Sequence, residues 1–276
     1  MAYNRILTVQ DISCLGQCSL TVALPILSAC GQETCVLPTA LLSTHTGGFG
    51  PVHKQDLTEN FAPVIAHWKE NKITFDAVYV GYLGKSEQIP WLKEIFASMV
   101  VTGGKRIVDP AMADHGRLYK GFDSRDVAAM KELCAAADVI IPNITEACLL
   151  TDTPYPDRID SAFTDALLEK LSTLCPCVIL TGVGNTPEET GVAVCCDGST
   201  WHYSQEKIPQ SYSGTGDIFS SAFVGAWFYG KSMEQAVKIA ADYTACCIQK
   251  TREAPAHSYG VKFEAAIPEL IEMLRN

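Results

Sequence analysis

The chain has 276 residues, 47% of them hydrophobic, and a formal net charge of −10. This length and apolar content are sufficient for one large α/β domain or two small ones. The acidic balance argues against a protein that binds nucleic acid or an anionic membrane surface, because such proteins carry clusters of Lys and Arg. We therefore expect an anionic substrate to be held by local backbone dipoles and a metal ion rather than by overall charge.

The amino-terminal sequence MAYNRILTVQDIS lacks the pattern of a signal peptide, and no apolar run is long enough to span a bilayer. These features predict a cytoplasmic protein. The 12 cysteines lack the paired C-x-x-C spacing of a structural metal site. We interpret most of them as reduced, small apolar side chains. No linker, charge block or repeat interrupts the chain, which predicts a single domain over residues 1–276.

Short apolar runs alternate with stretches of helical period along most of the chain. The predicted strands are RILTV, AVYVG, RIVD, DVIIPN and CVILTG, and the predicted helices lie near residues 19–30, 87–99, 124–137 and 161–174. Strands that are apolar throughout and separated by helices indicate a mostly parallel sheet with helices on both faces, a doubly wound α/β fold. Catalytic groups of such a fold lie at the carboxyl ends of the strands.

Polar or glycine residues follow five of the predicted strands. They are Gln10-Asp11, the segment 82–84, the segment 109–114, the segment 142–146 and the segment 181–184. Packing alone does not explain five such ends, because a residue that only fills a core is apolar. We therefore expect a functional site at this edge of the sheet.

Two further segments have distinct patterns. Late in the chain a small-residue helix is predicted over 217–229, and a second helix begins at Ser232, whose spacing to Gln235 is that of a capping box. The segment 35–50, CVLPTALLSTHTGGFG, is β-like and rich in glycine, so it is predicted to leave the main sheet and form a small flap. A flap that closes over a site excludes water, which a phosphoryl-transfer enzyme requires.

The phosphate-binding signals of the chain are restricted to one segment. The one string of the form G-x-x-x-x-G-K-[ST], at residues 225–232, lies at the end of the helix predicted over 217–229 and not after a strand, which argues against a P-loop. No G-x-G-x-x-G follows the first strand, which excludes the ordinary dinucleotide fingerprint. Instead, Gly214-Thr215-Gly216-Asp217 opens the late helix. Its glycines allow the backbone to approach an oxyanion, and its N–H groups point toward one. Asp217 is either a helix cap or a base that takes a proton from an attacking hydroxyl.

On these motifs the chain resembles the ribokinase superfamily and, within it, the pyridoxal kinase group. The superfamily motifs are G-T-G-D at 214–217, N-x-x-E at 143–146, and the segment 109–114, which resembles D-P-V-M-G-D. The narrower resemblance rests on residues 6–10 followed by Gly16, on S-T-H-T-G at 43–47 and on G-Y-x-G at 81–84. The similarity extends from Ile6 to about Phe263 and implies a ribokinase-like fold.

The resemblance also implies roles for individual residues. In the chemical step, Gly214, Thr215 and Gly216 would form the anion hole, and Asp217 would be the catalytic base. The implied substrate contacts are Asp11, Thr46, Tyr82, which would stack on the ring, and His45 of the flap. The implied nucleotide contacts are Asn143, Thr181 and Gly182 near the phosphates, and Val261 and Phe263 as an apolar wall for adenine. Alternatively, Val261 and Phe263 belong to an edge strand and do not contact the nucleotide. The implied metal residues are Asp114 and Glu146, which would hold Mg²⁺ chiefly through water.

One position departs from the pattern. The family usually has Ser where this chain has Asp11, and that Ser contacts the nitrogen of the pyridine ring. A carboxylate there would favour a protonated ring nitrogen through a charge-assisted hydrogen bond. The preference among pyridoxal, pyridoxamine and pyridoxine therefore stays open, and a hydroxymethylpyrimidine is also admitted. Alternatively, Asp11 faces solvent or caps the turn that follows it.

The activity that the resemblance implies is ATP-dependent phosphorylation of the 5′-hydroxymethyl group of a B6 vitamer. The resemblance also implies a homodimer that uses Mg²⁺ and a monovalent cation such as K⁺. Three alternatives remain. The first is a hydroxymethylpyrimidine kinase of the same superfamily, and the second is a non-catalytic protein that binds a B6 vitamer. The third is a sugar kinase, which the H-T-G and G-Y-x-G segments disfavour.

Overall fold

Strands and helices alternate through residues 3–253 and 259–276, the part of the chain that the computed structural model describes. The strands are β1 (Arg5–Ser13), β2 (Glu33–Leu42), β3 (Lys54–Asp56), β4 (Phe75–Val80), β5 (Val100–Val108), β6 (Ala113–Asp114), β7 (Arg117–Leu118), β8 (Val139–Ile140), β9 (Cys177–Val183), β10 (Glu189–Cys196) and β11 (Ser199–Glu206). The α-helices are α1 (Leu20–Ala29), α2 (Phe61–Glu70), α3 (Ile89–Ser98), α4 (Ser124–Ala135), α5 (Ile144–Leu150), α6 (Ser161–Ser172), α7 (Thr215–Tyr229), α8 (Met233–Arg252) and α9 (Ile267–Arg275). Short 3₁₀ turns lie at Thr58–Asn60, Ser86–Gln88 and Phe263–Ala266.

Nine strands form one sheet in the order β11-β10-β9-β8-β5-β4-β1-β2-β3. The central six, from β9 to β2, are parallel, whereas β3 and the β10–β11 hairpin add antiparallel edges. The predicted doubly wound, mostly parallel sheet is thus confirmed. The order reverses between β1 and β4, and ligands of such sheets bind at the carboxyl ends beside this reversal.

The sheet has a separate apolar core on each face. Along β4, Val78 and Val80 pack into one core, while Ala77 and Tyr79 pack into the other. Helices α2 to α6 cover the first core, and α1, α7, α8 and α9 cover the second. Because side chains alternate across a strand, a strand buried on both faces is apolar throughout, which is why these runs were readable in the sequence.

The predicted flap over residues 35–50 is wrong for its first half. Residues 35–42 belong to β2, which pairs in parallel with β1, and only the residues that follow form a loop. Pro38 lies opposite Gln10, next to a register shift in β1. The short β3 pairs only with Ala40, Leu41 and Leu42, so Pro38 has no strand on its other side. A strand accepts proline where no ladder hydrogen bond is required of it.

The predicted helix starts are confirmed where a cap was readable. Ser232 and Gln235 form a capping box at α8, with hydrogen bonds of 3.0 and 3.2 Å. No helix among the described residues is long and apolar enough to cross a membrane. The single domain over residues 1–276 stays a prediction, and residues 1–2 and 254–258 of it lie outside the described residues.

Candidate active site

A cavity of about 890 Å³ opens at the carboxyl ends of the parallel strands. It brings together thirteen of the fifteen residues that the sequence predicted for the site: Asp11, His45, Thr46, Tyr82, Asp114, Asn143, Glu146, Thr181, Gly182, Gly214, Thr215, Gly216 and Asp217. These residues come from both halves of the chain. The polar strand ends therefore meet at one cavity, and the roles of these residues stay predictions.

The start of α7 forms one wall of the cavity. Gly214 has a φ of 88°, and a Cβ atom there would lie 2.0 Å from the carbonyl oxygen of Gln17. Only glycine fits this left-handed residue against the neighbouring backbone. A Cβ at Gly216, in contrast, would meet no heavy atom of residues 3–253 or 259–276 within 4 Å, because this residue faces the open cavity. The first N–H groups of α7, which lack helical partners, therefore border open space that an anion can occupy.

Asp217 lies in the first turn of α7 and is half-buried. Burial raises its pKa from 3.8 to about 7, and the negative charges of Asp109 and Asp11 add to the rise, while a hydrogen bond from the backbone N–H of Ser19 opposes it. A carboxyl group with a pKa near neutrality exchanges its proton readily, as a general base requires. This electrostatic setting distinguishes Asp217 from an ordinary helix cap, whose pKa would be low.

Asp109, at the end of β5, lies near Asp217 in the floor of the cavity. It is 8% exposed and accepts a hydrogen bond of 2.7 Å from the hydroxyl of Ser220. Burial raises its pKa to about 6, although the Ser220 hydrogen bond acts in the opposite direction. Asp109 thus contributes negative charge beneath the base and raises its proton affinity.

Asn143 and Glu146 form a capping box at the start of α5. The Asn143 side-chain oxygen accepts from the Glu146 N–H at 3.0 Å, and Glu146 accepts from the Asn143 N–H at 2.9 Å. Glu146 also accepts from the N–H groups of Met112 and Ala113. Thr181 is bridged to Asn143, because its N–H donates to the Pro142 carbonyl at 2.9 Å. The N-x-x-E motif therefore fixes the relative position of two strand ends.

Beside this pair of strand ends, Gly182 borders the open cavity. It has a φ of 74° and no heavy atom within 4 Å of a Cβ position. Its conformation suits glycine, and its free surface is available to a ligand.

The predicted metal residues have unlike environments. Glu146 is 2% exposed, and burial together with the charge of Asp109 raises its pKa well above the usual range. Asp114 is exposed, and its carboxylate accepts from the N–H of His115 and lies 3.5 Å from the His115 imidazole. In residues 3–253 and 259–276, no group of three or more His, Cys, Asp or Glu side chains converges closely enough to hold a metal. Oxygen donors spaced in this way fit a hydrated Mg²⁺ held through water rather than a directly ligated ion.

Asp11 lies at the end of β1 and is 3% exposed. Its carboxylate accepts a hydrogen bond of 3.1 Å from the Ser13 hydroxyl. Burial raises its pKa, and the neighbouring Ser19 and Ser13 side chains oppose the rise. The alternative in which Asp11 faces solvent is wrong. A buried carboxyl group with hydroxyl neighbours is suited to accept a hydrogen bond from a ligand that enters the cavity.

Tyr82 lines the cavity together with Asp11. The Tyr82 ring contacts Phe122 edge-on at 5.6 Å, and the ammonium group of Lys54 lies 5.6 Å from the Tyr82 ring centroid. Burial, with a contribution from Asp11, raises the pKa of Tyr82 to about 12, so its hydroxyl stays protonated. Tyr82 thus offers a ring face and a neutral hydroxyl to a flat ligand.

His45 carries an unpaired donor in the loop after β2. The residue is 6% exposed, and its Nδ1 accepts from the Gly47 N–H at 3.0 Å. Burial lowers its pKa, so the ring is neutral and its single proton lies on Nε2. Nε2 is buried and has no hydrogen-bond partner in the part of the chain that the structure describes. Because a buried unpaired donor is costly, this atom is suited to a ligand acceptor. The neighbouring Thr46 is exposed at the cavity.

Val261 and Phe263 do not reach the cavity. They are 0% and 1% exposed, and both belong to the core beneath α7 and α8. The Tyr243 hydroxyl donates to the Phe263 carbonyl at 3.0 Å, which holds the segment in that core. Neither the predicted adenine wall nor an edge strand describes them. The apolar lining comes instead from one face of α8 and the loop before α7: Ala241, Thr244, Ala245, Ile248, Ile208 and Pro209.

Sequence reasoning missed further residues of the cavity. Ala241, Ala245 and Ile248 recur at helical spacing, so the period of α8 was a usable signal for them. Cys18, Ser19 and Tyr119 also line the cavity, but no motif marks them. Burial, Asp217 and Asp11 raise the pKa of Cys18 to about 12, so it is a neutral thiol.

The chain is similar in sequence to known kinases along most of its length. The model of a family described as phosphomethylpyrimidine kinase matches residues 24–261. A pyridoxine/pyridoxal/pyridoxamine kinase of Bordetella avium is 26% identical over 270 residues, which cover 90% of this chain and 86% of that protein. A thiamine biosynthesis multifunctional protein of Corynebacterium efficiens is 24% identical, and the match covers 86% of this chain but 32% of that protein. The chain thus spans about a third of that relative.

Solved structures have the same fold. A proposed phosphomethylpyrimidine kinase of Bacteroides thetaiotaomicron, crystallised with pyridoxal, has a TM-score of 0.92 and 34% identity, and the match covers 98% of this chain and 96% of that one. A pyridoxal kinase of Leishmania donovani in complex with ADP and pyridoxamine has a TM-score of 0.88 at 22% identity, with 97% and 95% covered, and supports the fold alone. From the family match and these likenesses, the chain belongs to the phosphomethylpyrimidine kinase family, in the ribokinase-like group that includes the pyridoxal kinases.

Proposed function

We propose that the protein transfers the terminal phosphoryl group of ATP to the 5′-hydroxymethyl group of a B6 vitamer. The observation that carries this proposal is the placement of Asp217 beside the open N–H groups of α7, in a cavity that also contains Asp11, His45 and Tyr82. A relative described as a pyridoxine/pyridoxal/pyridoxamine kinase and a neighbour crystallised with pyridoxal support it. A cytoplasmic location, a single domain, a homodimer and a monovalent cation such as K⁺ belong to the same proposal.

The base in this mechanism is Asp217. Its carboxylate accepts the proton of the substrate hydroxyl as the oxygen of that hydroxyl attacks the terminal phosphorus. A pKa raised to about 7 gives Asp217 enough basicity for this role, while a substantial fraction stays ionised at neutral pH. After transfer, the proton leaves the carboxyl group to solvent and the base is restored.

The anion hole in this mechanism is the backbone of Gly214, Thr215 and Gly216. Their N–H groups donate to the oxygens of the transferring phosphoryl group, where negative charge is redistributed during the reaction. Gly214 lets the chain turn into the helix, and Gly216 leaves room for the phosphate. Asn143, Thr181 and Gly182 lie at two strand ends of the same cavity and would contact the remaining phosphates.

Glu146 and Asp114 fit the hydration shell of Mg²⁺, with Glu146 held in place by the backbone N–H groups described above. When bound, Mg²⁺ supplies positive charge that offsets the charge of the phosphate oxygens. Asp109 and Glu146 form an acidic floor of the cavity, and burial disfavours their ionised forms. A nearby cation would offset this cost, so the floor is suited to bind one.

A second candidate is a hydroxymethylpyrimidine kinase. The name of the matched family favours it, and so does Asp11, since a buried carboxylate also accepts from an aminopyrimidine. The His45 Nε2–H favours the vitamers instead, because the 3-oxygen of their ring is an acceptor for such a donor. A purely binding role is disfavoured, since a binder needs no base with a pKa near neutrality.

Substitution of Asp217 tests the mechanism. Asp217→Asn keeps the shape of the side chain but removes its basicity, so we expect kcat with pyridoxal to fall by about 10²-fold or more. KM for ATP and for pyridoxal should change by less than about threefold, because the base acts on the chemical step. A coupled assay of ADP release measures these constants, and titration of pyridoxal by its absorbance checks binding. Normal turnover by the variant would refute the assignment.

A further inference from the structure

Two cysteines lie directly opposite each other where the β10–β11 hairpin joins the parallel sheet. Cys177 begins β9, Cys196 ends β10, and the antiparallel register of these strands pairs the two residues. Among the strand pairs of the described residues, no other register position sets one cysteine against another. Both thiols are free. The geometry of the pair decides whether they can be joined.

The backbone hydrogen bonds place this pair at a closely spaced position of the ladder. The Asp197 N–H donates to the Pro176 carbonyl at 3.4 Å, one residue beyond the pair. Because the bonds of an antiparallel ladder alternate, Cys177 and Cys196 form a non-hydrogen-bonded pair, whose Cα atoms lie about 4.5 Å apart. A disulfide requires a Cα separation of roughly 4.4–6.8 Å. The strands therefore already hold the two residues at a distance that a disulfide spans.

The two side chains also point to the same face of the sheet. Cys177 is 4% exposed and belongs to the core beneath α1, α7, α8 and α9, and Cys196 packs against that core. The neighbouring Cys195 packs against the other core and lies opposite Val178. Because side chains alternate along a strand, Cys196 faces Cys177 and Cys195 does not.

Cys196 is the more accessible member of the pair. It is partly exposed and precedes the exposed turn Asp197-Gly198, whose φ values of 50° and 79° are those of a tight hairpin turn. A small reagent can therefore reach Cys196, whereas Cys177 is reached only from Cys196. Burial raises the pKa of both thiols, so both are protonated at neutral pH and their exchange reactions are slow.

We propose that Cys177 and Cys196 are a reversible modification site, at which a small disulfide oxidises the two thiols to a cross-strand disulfide. The Cys196 thiolate attacks one sulfur of the small disulfide, whose S–S bond breaks and releases the first small thiol. The Cys177 thiolate then attacks the Cys196 sulfur of the mixed disulfide and releases the second. The two protein thiols lose two electrons to the small disulfide, and their two protons leave with the two released thiols.

The bridge would stabilise the fold without acting on the cavity. It closes the chain between Cys177 and Cys196 into a loop, which restricts the unfolded state. We expect Tm to rise by about 3–6 °C. Thr181, which lines the cavity, lies about 13 Å further along β9 at roughly 3.3 Å per residue. Turnover should therefore change by less than about twofold, and the bridge can be tested independently of the proposed function.

The test oxidises the folded wild-type protein with glutathione disulfide, alkylates the remaining thiols and identifies joined peptides by mass. We expect a bridge between Cys177 and Cys196, the rise in Tm, and reversal of both by dithiothreitol. Cys196→Ser should form no bridge and show no rise. Cys195→Ser is the matched control, because it removes the adjacent, partly exposed thiol on the other face of the sheet. This control should keep both the bridge and the rise.

Cys177→Ala tests the order of the two steps. It keeps the accessible thiol and removes the one that resolves the mixed disulfide, so we expect glutathione to stay bound to Cys196. A wild-type protein that keeps both thiols under glutathione disulfide would overturn the proposal. So would a bridge between any other two cysteines, an oxidised Tm at or below the reduced one, or loss of the bridge in Cys195→Ser.

Discussion

The two ends of the cavity differ in the groups that line them: backbone N–H groups at one end and side chains at the other. At the end where we propose that the phosphoryl group is transferred, the start of α7 presents backbone N–H groups together with the Asp217 side chain. At the end where we propose that the ring binds, the lining includes the side chains of Asp11, His45 and Tyr82, from β1, the loop after β2 and the segment after β4. Backbone N–H groups suit any phosphoryl group, whereas side chains select a particular ring. We therefore propose that the end at α7 carries out the phosphoryl transfer and that the end at Asp11 selects the substrate.

The largest effect that separates the two ends is expected from the glycines of α7. Gly214→Ala places a methyl group about 2 Å from the Gln17 carbonyl, at a φ of 88°. We expect the free energy of unfolding to fall by about 2 kcal/mol or more, together with loss of activity on every substrate. Gly216→Ala is the matched control, because its methyl group enters open space in a helix.

The Gly216→Ala variant should be as stable as the wild type or more so, because alanine favours a helix over glycine by about 1 kcal/mol. Its turnover should still fall, by about tenfold, since the methyl group occupies the approach to the phosphoryl group. Urea unfolding and steady-state kinetics measure both quantities. Equal stability of the two variants would contradict the structural account of Gly214.

A smaller effect, confined to substrate choice, is expected at Asp11. Asp11→Ser replaces a buried carboxylate with a neutral hydroxyl, which weakens a charge-assisted hydrogen bond to the ring nitrogen. We expect the ratio of kcat/KM for pyridoxal to that for hydroxymethylpyrimidine to change by about tenfold, with kcat for pyridoxal nearly unchanged. An unchanged ratio would show that Asp11 does not read the ring and that the two ends are not divided as described.

The smallest effect is the pH dependence of stability. The pKa of Asp217 rises from 3.8 to about 7 on folding, so the folded state binds more protons than the unfolded state between these values. Stability from this group is therefore greatest at low pH and declines as pH rises toward 7. Asp217→Asn removes the decline, so its Tm should exceed that of the wild type by a few degrees at pH 8 and by less at pH 5. A Tm difference that does not depend on pH would contradict the raised pKa.

The start of α7 and the local structure around Asn143 were readable from the sequence because their signals are local. G-T-G-D lies at a helix start, and the capping boxes at Asn143 and Ser232 each span four residues. Strands buried on both faces also give continuous apolar runs. The sheet and this part of the site therefore followed from patterns of short range.

The remainder depends on long-range packing that no local pattern encodes. The segment 35–50 was predicted to leave the sheet because it is rich in glycine, yet its first half continues β2. That strand tolerates Pro38 because β3 pairs only with Ala40, Leu41 and Leu42. Val261 and Phe263 resembled an adenine wall, but Tyr243 holds their segment in the core. Ser19 lines the cavity with a φ of 51°, and no sequence motif marks it.

The most direct test of the central claim is a substrate panel with the wild-type enzyme. Initial rates with ATP are measured for pyridoxal, pyridoxamine, pyridoxine and hydroxymethylpyrimidine under identical conditions, and each product is identified by mass. The account predicts a phosphorylated B6 vitamer, with kcat/KM at least about tenfold above that for the pyrimidine alcohol, as expected from one additional hydrogen bond at His45. Preference for the pyrimidine alcohol, or no turnover of any vitamer, would contradict it.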